Sequence, residues 1–100
     1  MINKSIINNY EKNGVVVLRK IISNKWISVL KKGLKKNFDE PSKYKCVYEK
    51  SNKKELFYDD YCNWKRIIEY KNFIFNSNIA FIAKVLMQSN KVNLFHEHVL

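Results

Sequence analysis

The chain has 100 residues, 46% of them hydrophobic and 28% charged, and this length suits one small unit rather than two domains. The 14% aromatic content excludes an intrinsically disordered tail, and a total of two Gly and one Pro excludes a collagen-like or low-complexity chain. Nineteen Lys and Arg residues against nine Asp and Glu give a net charge of +10, which makes an anionic partner the first class of function to consider.

The N-terminal segment is predicted to form a short helix and then a strand. Residues 3–12 place apolar side chains on one side of a helix, and Gly14 suits the left-handed conformation of a helix C-cap. The β-branched run Val15–Leu18 follows at once and is too short for a helix. This run predicts a buried strand over residues 15–19.

A second helix is predicted to follow this strand. Ser23 or Asn24 is a suitable N-cap, and apolar residues then recur at spacings of three and four, namely Ile27, Leu30 and Leu34. Gly33 lies inside this helix, where glycine lowers the helix propensity. Residues 39–42 end it, because Pro41 disfavours helix in the residue before it.

The middle of the chain has a weaker pattern of secondary structure. Residues 44–48 are a candidate strand and residues 51–55 a candidate turn. An aromatic cluster of a density typical of a core or an interface follows, consisting of Phe57, Tyr58, Tyr61 and Trp64. Because adjacent side chains point in different directions, we expect Asp59 and Asp60 to be solvated rather than paired for acid–base chemistry.

The C-terminal part is predicted to contain two helical segments and a strand. Residues 67–75 support a helical turn or two. Ser77 is the expected N-cap of a clearer helix, which ends at Ser89–Asn90 and whose apolar residues fall at i, i+3, i+4 and i+7: Ile79, Ile82, Ala83 and Leu86. Residues 92–100 then alternate as a strand, with His96 and His98 on one face.

The predicted strands are too few to form a stable sheet by themselves. The last of them, residues 92–100, is apolar and leaves an open edge of the kind that complete proteins protect. We therefore expect residues 1–100 to be a single partial domain, the N-terminal fragment of a larger fold. In isolation, such a fragment is expected to be poorly folded or prone to aggregate.

The order of these segments along the chain resembles the order found in a known protein family. The chain combines YEKNGVVVLR, an amphipathic helix, an aromatic stretch that ends in NWKR, the helix FIFNSNIAFIAKVLMQSNKV and the closing segment NLFHEHVL. This arrangement is similar to the N-terminal part of the phytanoyl-CoA dioxygenase family, which are Fe(II)- and 2-oxoglutarate-dependent oxygenases. The similarity runs from about Tyr10 to Leu100 and rests on order and spacing, since none of these pieces is a catalytic signature.

The resemblance implies an α+β fold in which N-terminal helices face a double-stranded β-helix, a jelly-roll barrel. It implies an oxidoreductase that hydroxylates a small metabolite or acyl derivative while 2-oxoglutarate is decarboxylated to succinate. Iron in such proteins is held by an HxD motif and a distant His, a triad that leaves positions open for the keto acid and oxygen. An Arg near the end of the family domain pairs with the far carboxylate of 2-oxoglutarate.

The chain departs from the family pattern at the metal site. An HxD motif is expected one strand and a loop after the strand that begins at Val92, and the 100 residues contain none. His96-Glu97-His98 is not such a motif, because its third residue is His, and the later His and Arg are also absent. We therefore expect no catalytic residue and no metal ligand within the chain, and no binding of Fe(II) or 2-oxoglutarate by these residues alone.

Two residues are candidates for contact with a ligand. The resemblance places His98 at the wall of the 2-oxoglutarate pocket, and the alternative is a hydrogen-bonded core histidine. His96 and His98 also have a chelating spacing, but a metal site needs a third ligand and none has a suitable spacing. Trp64 is a candidate for the substrate entrance, or else for packing between the helices and the barrel.

The basic charge supports an alternative hypothesis, a small Lys-rich module that binds nucleic acid. Of the 19 cations only Arg19 and Arg66 are Arg, the residue that base-edge and bidentate phosphate recognition favour. Lys, Asn and Ile, which all have A/T-rich codons, make up 41 of the 100 residues, so a biased base composition accounts for much of the charge. We therefore expect a small-molecule substrate and no nucleic-acid partner. A third hypothesis is a structural protein that pairs its open strand with a partner chain.

The cysteines and the N-terminus predict the cellular location. Cys46 and Cys62 form no CxxC motif and predict two reduced thiols in a cytosolic protein. The first residues contain no apolar core of signal-peptide length, and no window approaches the ~18 apolar residues that a membrane span needs. The sequence therefore predicts a cytoplasmic protein with no membrane partner.

Overall fold

The structure, a computed structural model, describes residues 1–49 and 56–100. These ranges contain four helices, α1 (Lys4–Asn13), α2 (Asn24–Asp39), α3 (Ile68–Asn76) and α4 (Ile79–Leu86). They also contain an antiparallel sheet of the order β1-β2-β3, made of β1 (Cys46–Glu49), β2 (Leu56–Tyr61) and β3 (His98–Val99). The predicted α+β class is confirmed, whereas the turn predicted at residues 51–55 lies outside the described residues.

The first two helices form where the sequence predicts them, with Gly14 and Ser23 as the predicted caps. The Asn3 side chain accepts a hydrogen bond from the Ile6 amide (3.0 Å), and Gly14 ends α1 with a left-handed φ of 72°. Ser23 caps α2 by accepting a hydrogen bond from the Trp26 amide (3.4 Å). These side chains satisfy amides that the first turn of a helix leaves free. Both predicted helices are therefore confirmed.

The two predicted C-terminal helices also form, and Ser77 lies between them. Its hydroxyl donates to the Phe73 carbonyl at the end of α3 and accepts from the Ile79 amide at the start of α4. Asn78 occupies the N-cap position of α4 without a side-chain capping bond, and its side-chain amide donates to the Ile21 carbonyl (3.1 Å) instead. The Ser77 hydroxyl thus forms hydrogen bonds at the end of α3 and at the start of α4, and Ser77 lies one residue before the observed N-cap of α4.

The buried strand predicted over residues 15–19 is wrong. In this segment Val15 and Val17 are 67% and 70% exposed, and no strand in the described part of the chain pairs with it. A β-branched run forms a strand only where a neighbouring strand supplies hydrogen bonds and a surface to pack on. Here the described sheet uses later segments, so the run stays irregular with alternate side chains facing solvent.

The strand predicted over residues 92–100 is confirmed only for His98 and Val99, and its earlier part is wrong. Its partner, β2, ends at Tyr61, and the next residue, Cys62, has a left-handed φ of 63° that ends the pairing. The Cys62 amide still donates to the Glu97 carbonyl (3.2 Å), which aligns the chain just before β3. The length of β3 is therefore set by the end of its neighbour rather than by its own alternation.

The sheet has two unlike faces, because side chains alternate along each strand. Tyr58 and Asp60 project from the face that meets the end of α2, where the Phe38 ring lies edge-on to Tyr58 at 4.8 Å between centroids. The register places a different set of side chains on the opposite face, which we call the open face: Cys46, Tyr48, Phe57, Asp59, Tyr61 and His98. These side chains range from half-buried to exposed.

The helices pack in a row, with α1 against α4, α4 against α3 and α3 against α2. The buried apolar residues of the described chain are few, namely Ile67, Tyr70 and Ile82. Gly33 of α2 lies directly against Tyr70, and a Cβ added at Gly33 would lie only 2.7 Å from Cε1 of the Tyr70 ring. The glycine inside this helix is thus required for the close approach of α2 and α3.

The molecule exposes much more surface than a compact chain of its length. Its accessible surface is 8198 Å², whereas a monomer of this size typically exposes about 6,000 Å². Its radius of gyration is 16.1 Å, against about 13 Å for a compact 100-residue domain. Large apolar side chains form part of this surface, among them Val15, Val17, Phe57, Phe81 and Phe95.

A buried carboxylate joins the helices to the sheet. Asp60, which is fully buried, accepts hydrogen bonds from the Asn37 side chain (2.9 Å), the Ser42 amide (2.9 Å) and the Tyr61 amide (2.9 Å). The Ser42 hydroxyl and the Tyr58 hydroxyl also donate to it. The prediction that Asp60 is solvated is therefore wrong, because the alternation of β2 turns it towards α2 rather than towards water.

These hydrogen bonds determine the charge of Asp60. Burial alone would raise its pKa, but the donors from Ser42, Asn37 and the Tyr61 amide outweigh burial and hold the pKa of this carboxyl well below its usual range. Tyr70 donates to Oδ1 of Asn37 (3.0 Å), and burial raises the pKa of Tyr70 to about 12, so the phenol stays protonated. An ionised Asp60 and its neutral donors thus link α2, α3 and β2.

Replacing Gly33 tests the contact between α2 and α3. We expect Gly33→Ala to destabilise the protein by about 1–3 kcal/mol, because the new methyl group overlaps the buried Tyr70 ring. Urea denaturation measures this change in the free energy of unfolding. Ser28→Ala, at an exposed position of the same helix, is the matched control and should be neutral or slightly stabilising. A Gly33→Ala protein as stable as the parent would contradict the tight contact.

Replacing Asp60 tests the buried carboxylate. Asp60→Asn puts a donor where the carboxylate only accepts, so we expect a loss of about 2–4 kcal/mol at neutral pH. Because folding lowers the pKa of Asp60, its stabilisation is present above the unfolded pKa of about 3.9 and is lost as the pH falls below that value. The free energy of unfolding, measured from neutral to acid pH, should accordingly fall less steeply at acid pH for Asp60→Asn than for the parent protein. Asp39→Asn, at an exposed carboxylate, should leave this pH dependence unchanged.

Candidate functional site

The candidate site lies on the open face, around the predicted residue His98. Its Nε2 contacts Oδ1 of Asp59 on the neighbouring strand. The contact follows from the register, since His98 is opposite Tyr61, and Asp59 lies two residues before Tyr61 on the same face of β2. The His98 side chain is 41% exposed and that of Asp59 is 23% exposed, so the pair is accessible from solvent. Asp59, which was predicted to be solvated, is half-buried and in contact with His98.

Tyr61 is the centre of an aromatic cluster at this site. Its ring stacks on Tyr44 at 4.8 Å and meets His96 at 5.6 Å and His98 at 5.3 Å, all measured between ring centroids. The two imidazoles lie 6.0 Å apart, and Phe95 lies beside His96. The structure therefore brings His96 and His98 together on one side of Tyr61, in keeping with their predicted common face. Phenol and imidazole rings packed together in this way offer a ligand both flat apolar surface and polar atoms.

Glu97 holds the segment of the two histidines in place. Its Oε1 accepts hydrogen bonds from the Trp64 amide (2.6 Å) and from the Asn63 amide at the first turn after β2. Its Oε2 is buried and has no hydrogen-bond partner within the described ranges. Glu97 was not predicted from the sequence, because the amides that it binds lie more than thirty residues earlier in the chain and no local pattern marks them.

Trp64 is placed near this site through its backbone only. Its amide binds Glu97, next to His98, while its ring packs on Phe75 of α3 at 5.6 Å between centroids. The Lys65 ammonium lies 5.5 Å from the centre of the same ring. Among the described residues, the ring is therefore in contact with a helix rather than with the Tyr61 cluster.

The described residues do not fit Fe(II) by themselves. Within residues 1–49 and 56–100, no group of three or more His, Cys, Asp or Glu side chains is arranged to hold a metal ion. His96 and His98 supply two imidazoles, but Nε2 of His98 is already directed at Asp59. Cys46 and Cys62 are both free and exposed. No chemical step through iron is therefore derived from these side chains.

The lysine-rich part of α2 is partly neutralised. Of its densest cationic group, Lys31, Lys32, Lys35 and Lys36, the last two pair with carboxylates. Lys35 lies 2.7 Å from Asp39, and Lys36 contacts Glu69 of α3 and thereby lowers the pKa of that carboxyl. Half of this group thus serves contacts within the chain, which reduces the charge that α2 presents to an anion.

A separate groove of about 660 Å³ lies between α1 and α4. Apolar side chains line it, together with Arg19, Lys20 and Asn78, and it contains none of the open-face residues. The arrangement of titratable and aromatic side chains described above is therefore distinct from this groove.

Comparisons with known proteins add no relative: no family model, no curated protein and no solved structure matches the chain. None of the helices in the described part of the chain is both long and apolar enough to cross a membrane.

Removing the Glu97 carboxylate tests how the histidine segment is held. We expect Glu97→Ala to expose the Asn63 and Trp64 amides and to destabilise the protein by about 1–2 kcal/mol, as the loss of a helix cap does. Amide hydrogen exchange should then be faster at these two residues than elsewhere in the protein. Glu97→Gln keeps one carbonyl oxygen as acceptor and is expected to retain most of the protection. Unchanged exchange in Glu97→Ala would contradict this role.

Proposed function

We propose that the chain is the N-terminal part of an Fe(II)- and 2-oxoglutarate-dependent dioxygenase that resembles the phytanoyl-CoA dioxygenase family. The whole protein would hydroxylate a small metabolite or acyl derivative and convert 2-oxoglutarate to succinate. Its fold would be a jelly-roll barrel with the four helices on the outside, and its location would be the cytoplasm. The order of segments from Tyr10 to Leu100 is the basis of this proposal.

The structural observation that supports the proposal is the uncovered sheet. Helix α2 contacts one face of the sheet, while the open face displays aromatic and imidazole side chains such as Tyr48, Phe57 and His98. The accessible surface exceeds that of a compact chain by roughly a third. A second sheet packed about 10 Å away, as in a jelly roll, would cover this face and enclose its side chains. This arrangement supports a partial barrel rather than a finished module.

In the proposed enzyme, the side chains of the open face would line the interior of the barrel. His98 would then border the 2-oxoglutarate pocket, with the Tyr61 ring beside it. Trp64, whose ring packs on Phe75, would support the helices against the barrel rather than contact the substrate. The ligands of iron would come from an HxD motif and a later His outside these 100 residues.

The coding sequence beyond the codon of Leu100 tests the proposal most directly. We expect it to encode an HxD motif within the next few dozen codons, followed by a more distant His and an Arg. A stop codon directly after Leu100 would overturn the proposal and favour the Lys-rich binding module. Nucleic-acid binding that weakens steeply with salt would be the signature of that module.

Activity gives a second, independent readout. The protein expressed from its whole reading frame should form succinate from 2-oxoglutarate when Fe(II) and oxygen are supplied. Substitution of the HxD His by Ala should abolish this reaction, and residues 1–100 alone should show none. A soluble monomer of residues 1–100 with a sharp two-state thermal transition would argue against a partial domain.

A further inference from the structure

In the contact between Asp59 and His98, the donor and the acceptor can be assigned. An ionised carboxylate only accepts hydrogen bonds, so the ring nitrogen that meets it, Nε2 of His98, must carry a proton. In the neutral imidazole, the other nitrogen, Nδ1, is then unprotonated. Within the described residues, the contact with Asp59 is the single hydrogen bond that the His98 side chain makes, so Nδ1 has no hydrogen-bond partner there.

Neighbouring aromatic rings restrict the His98 ring on its other sides. The Tyr61 ring lies 5.3 Å away and is tilted by 45°, and the His96 ring lies 6.0 Å away and is tilted by 47°, both distances measured between ring centroids. β3 itself is anchored by pairing with Asp60 and Tyr61, so backbone and side chain both restrict the imidazole. With one nitrogen bound and the ring held by its neighbours, Nδ1 is the polar atom that remains for a ligand of the open face.

We propose that Asp59 is the positioning residue of His98, holding the ring in the form protonated at Nε2 so that Nδ1 is the atom available to a ligand. The nature of that ligand rests on the proposed function, in which the ring borders the 2-oxoglutarate pocket. An unprotonated Nδ1 only accepts hydrogen bonds, so contact with a carboxylate of 2-oxoglutarate requires the doubly protonated ring, in which the Nδ1–H donates to that carboxylate while the Nε2–H stays on Asp59. The positioning itself depends on this chain alone.

The test is nuclear magnetic resonance of the protein expressed from its whole reading frame, with 15N in the histidine rings. At a pH where the imidazoles are neutral, long-range 1H–15N spectra show which nitrogen of each ring is protonated. We expect His98 to give a single form protonated at Nε2, with an N–H protected from exchange with water. His96, which makes no contact with a carboxylate in the described structure, should give a rapidly exchanging mixture.

Two variants separate positioning from simple stabilisation of β3. Asp59→Ala should remove the protected N–H and shift the His98 nitrogens towards the mixture seen for His96. Asp59→Asn keeps a carbonyl acceptor and should restore much of the wild-type pattern. Asp39→Ala, which removes an exposed carboxylate elsewhere, should leave His98 unchanged. A His98 spectrum that is the same in wild type and in folded Asp59→Ala, or a wild-type His98 that already matches His96, would overturn the inference.

Kinetics then test the ligand. In the active protein, Asp59→Ala should raise the KM for 2-oxoglutarate about tenfold, the loss expected for one charge-assisted hydrogen bond, with a smaller change in kcat. An unchanged KM together with altered His98 spectra would overturn the contact with 2-oxoglutarate and leave the positioning intact. Absence of succinate formation would count against the proposed function, whereas the spectra would still decide the role of Asp59.

Discussion

The hydrogen bonds that converge on the buried Asp60 carboxylate connect the parts of this molecule. Asn37 donates to Asp60 on β2 and accepts from Tyr70 on α3, so one side chain of α2 joins three elements. The Ser42 amide and hydroxyl bind the same carboxylate and fix the chain that leads into β1. A buried charge is tolerated only when its partners are complete, and here five donors surround it.

This anchorage decides which face of the sheet is available for function. Because Asp60 faces α2, its neighbours Asp59 and Tyr61 must project from the other side of β2. Pairing with β3 then brings His98 onto that same side. The candidate site and the buried network are thus two consequences of one register, and a shift by one residue would exchange them.

The helices were predictable from the sequence, and much of the sheet was not. Caps at Ser23 and Gly14 and the helical spacing of apolar residues are local signals, so α1, α2 and α4 follow from them. The run at residues 15–19 carries an equally clear β pattern, yet in the described structure it has no partner strand. For the site, the shared face of His96 and His98 was predictable, whereas the Asp59 contact and the Glu97 carboxylate join residues more than thirty positions apart.

The sequence by itself determined which segments are helical, the α+β class and the face of the last segment that carries the imidazoles, because each depends on neighbours within a turn or a strand. Tertiary structure alone decided that Asp60 is buried and Asp59 is not, and that β3 is two residues long. Strand pairing and the burial of a charge depend on partners distant in the chain, and their free energy exists only once those partners meet.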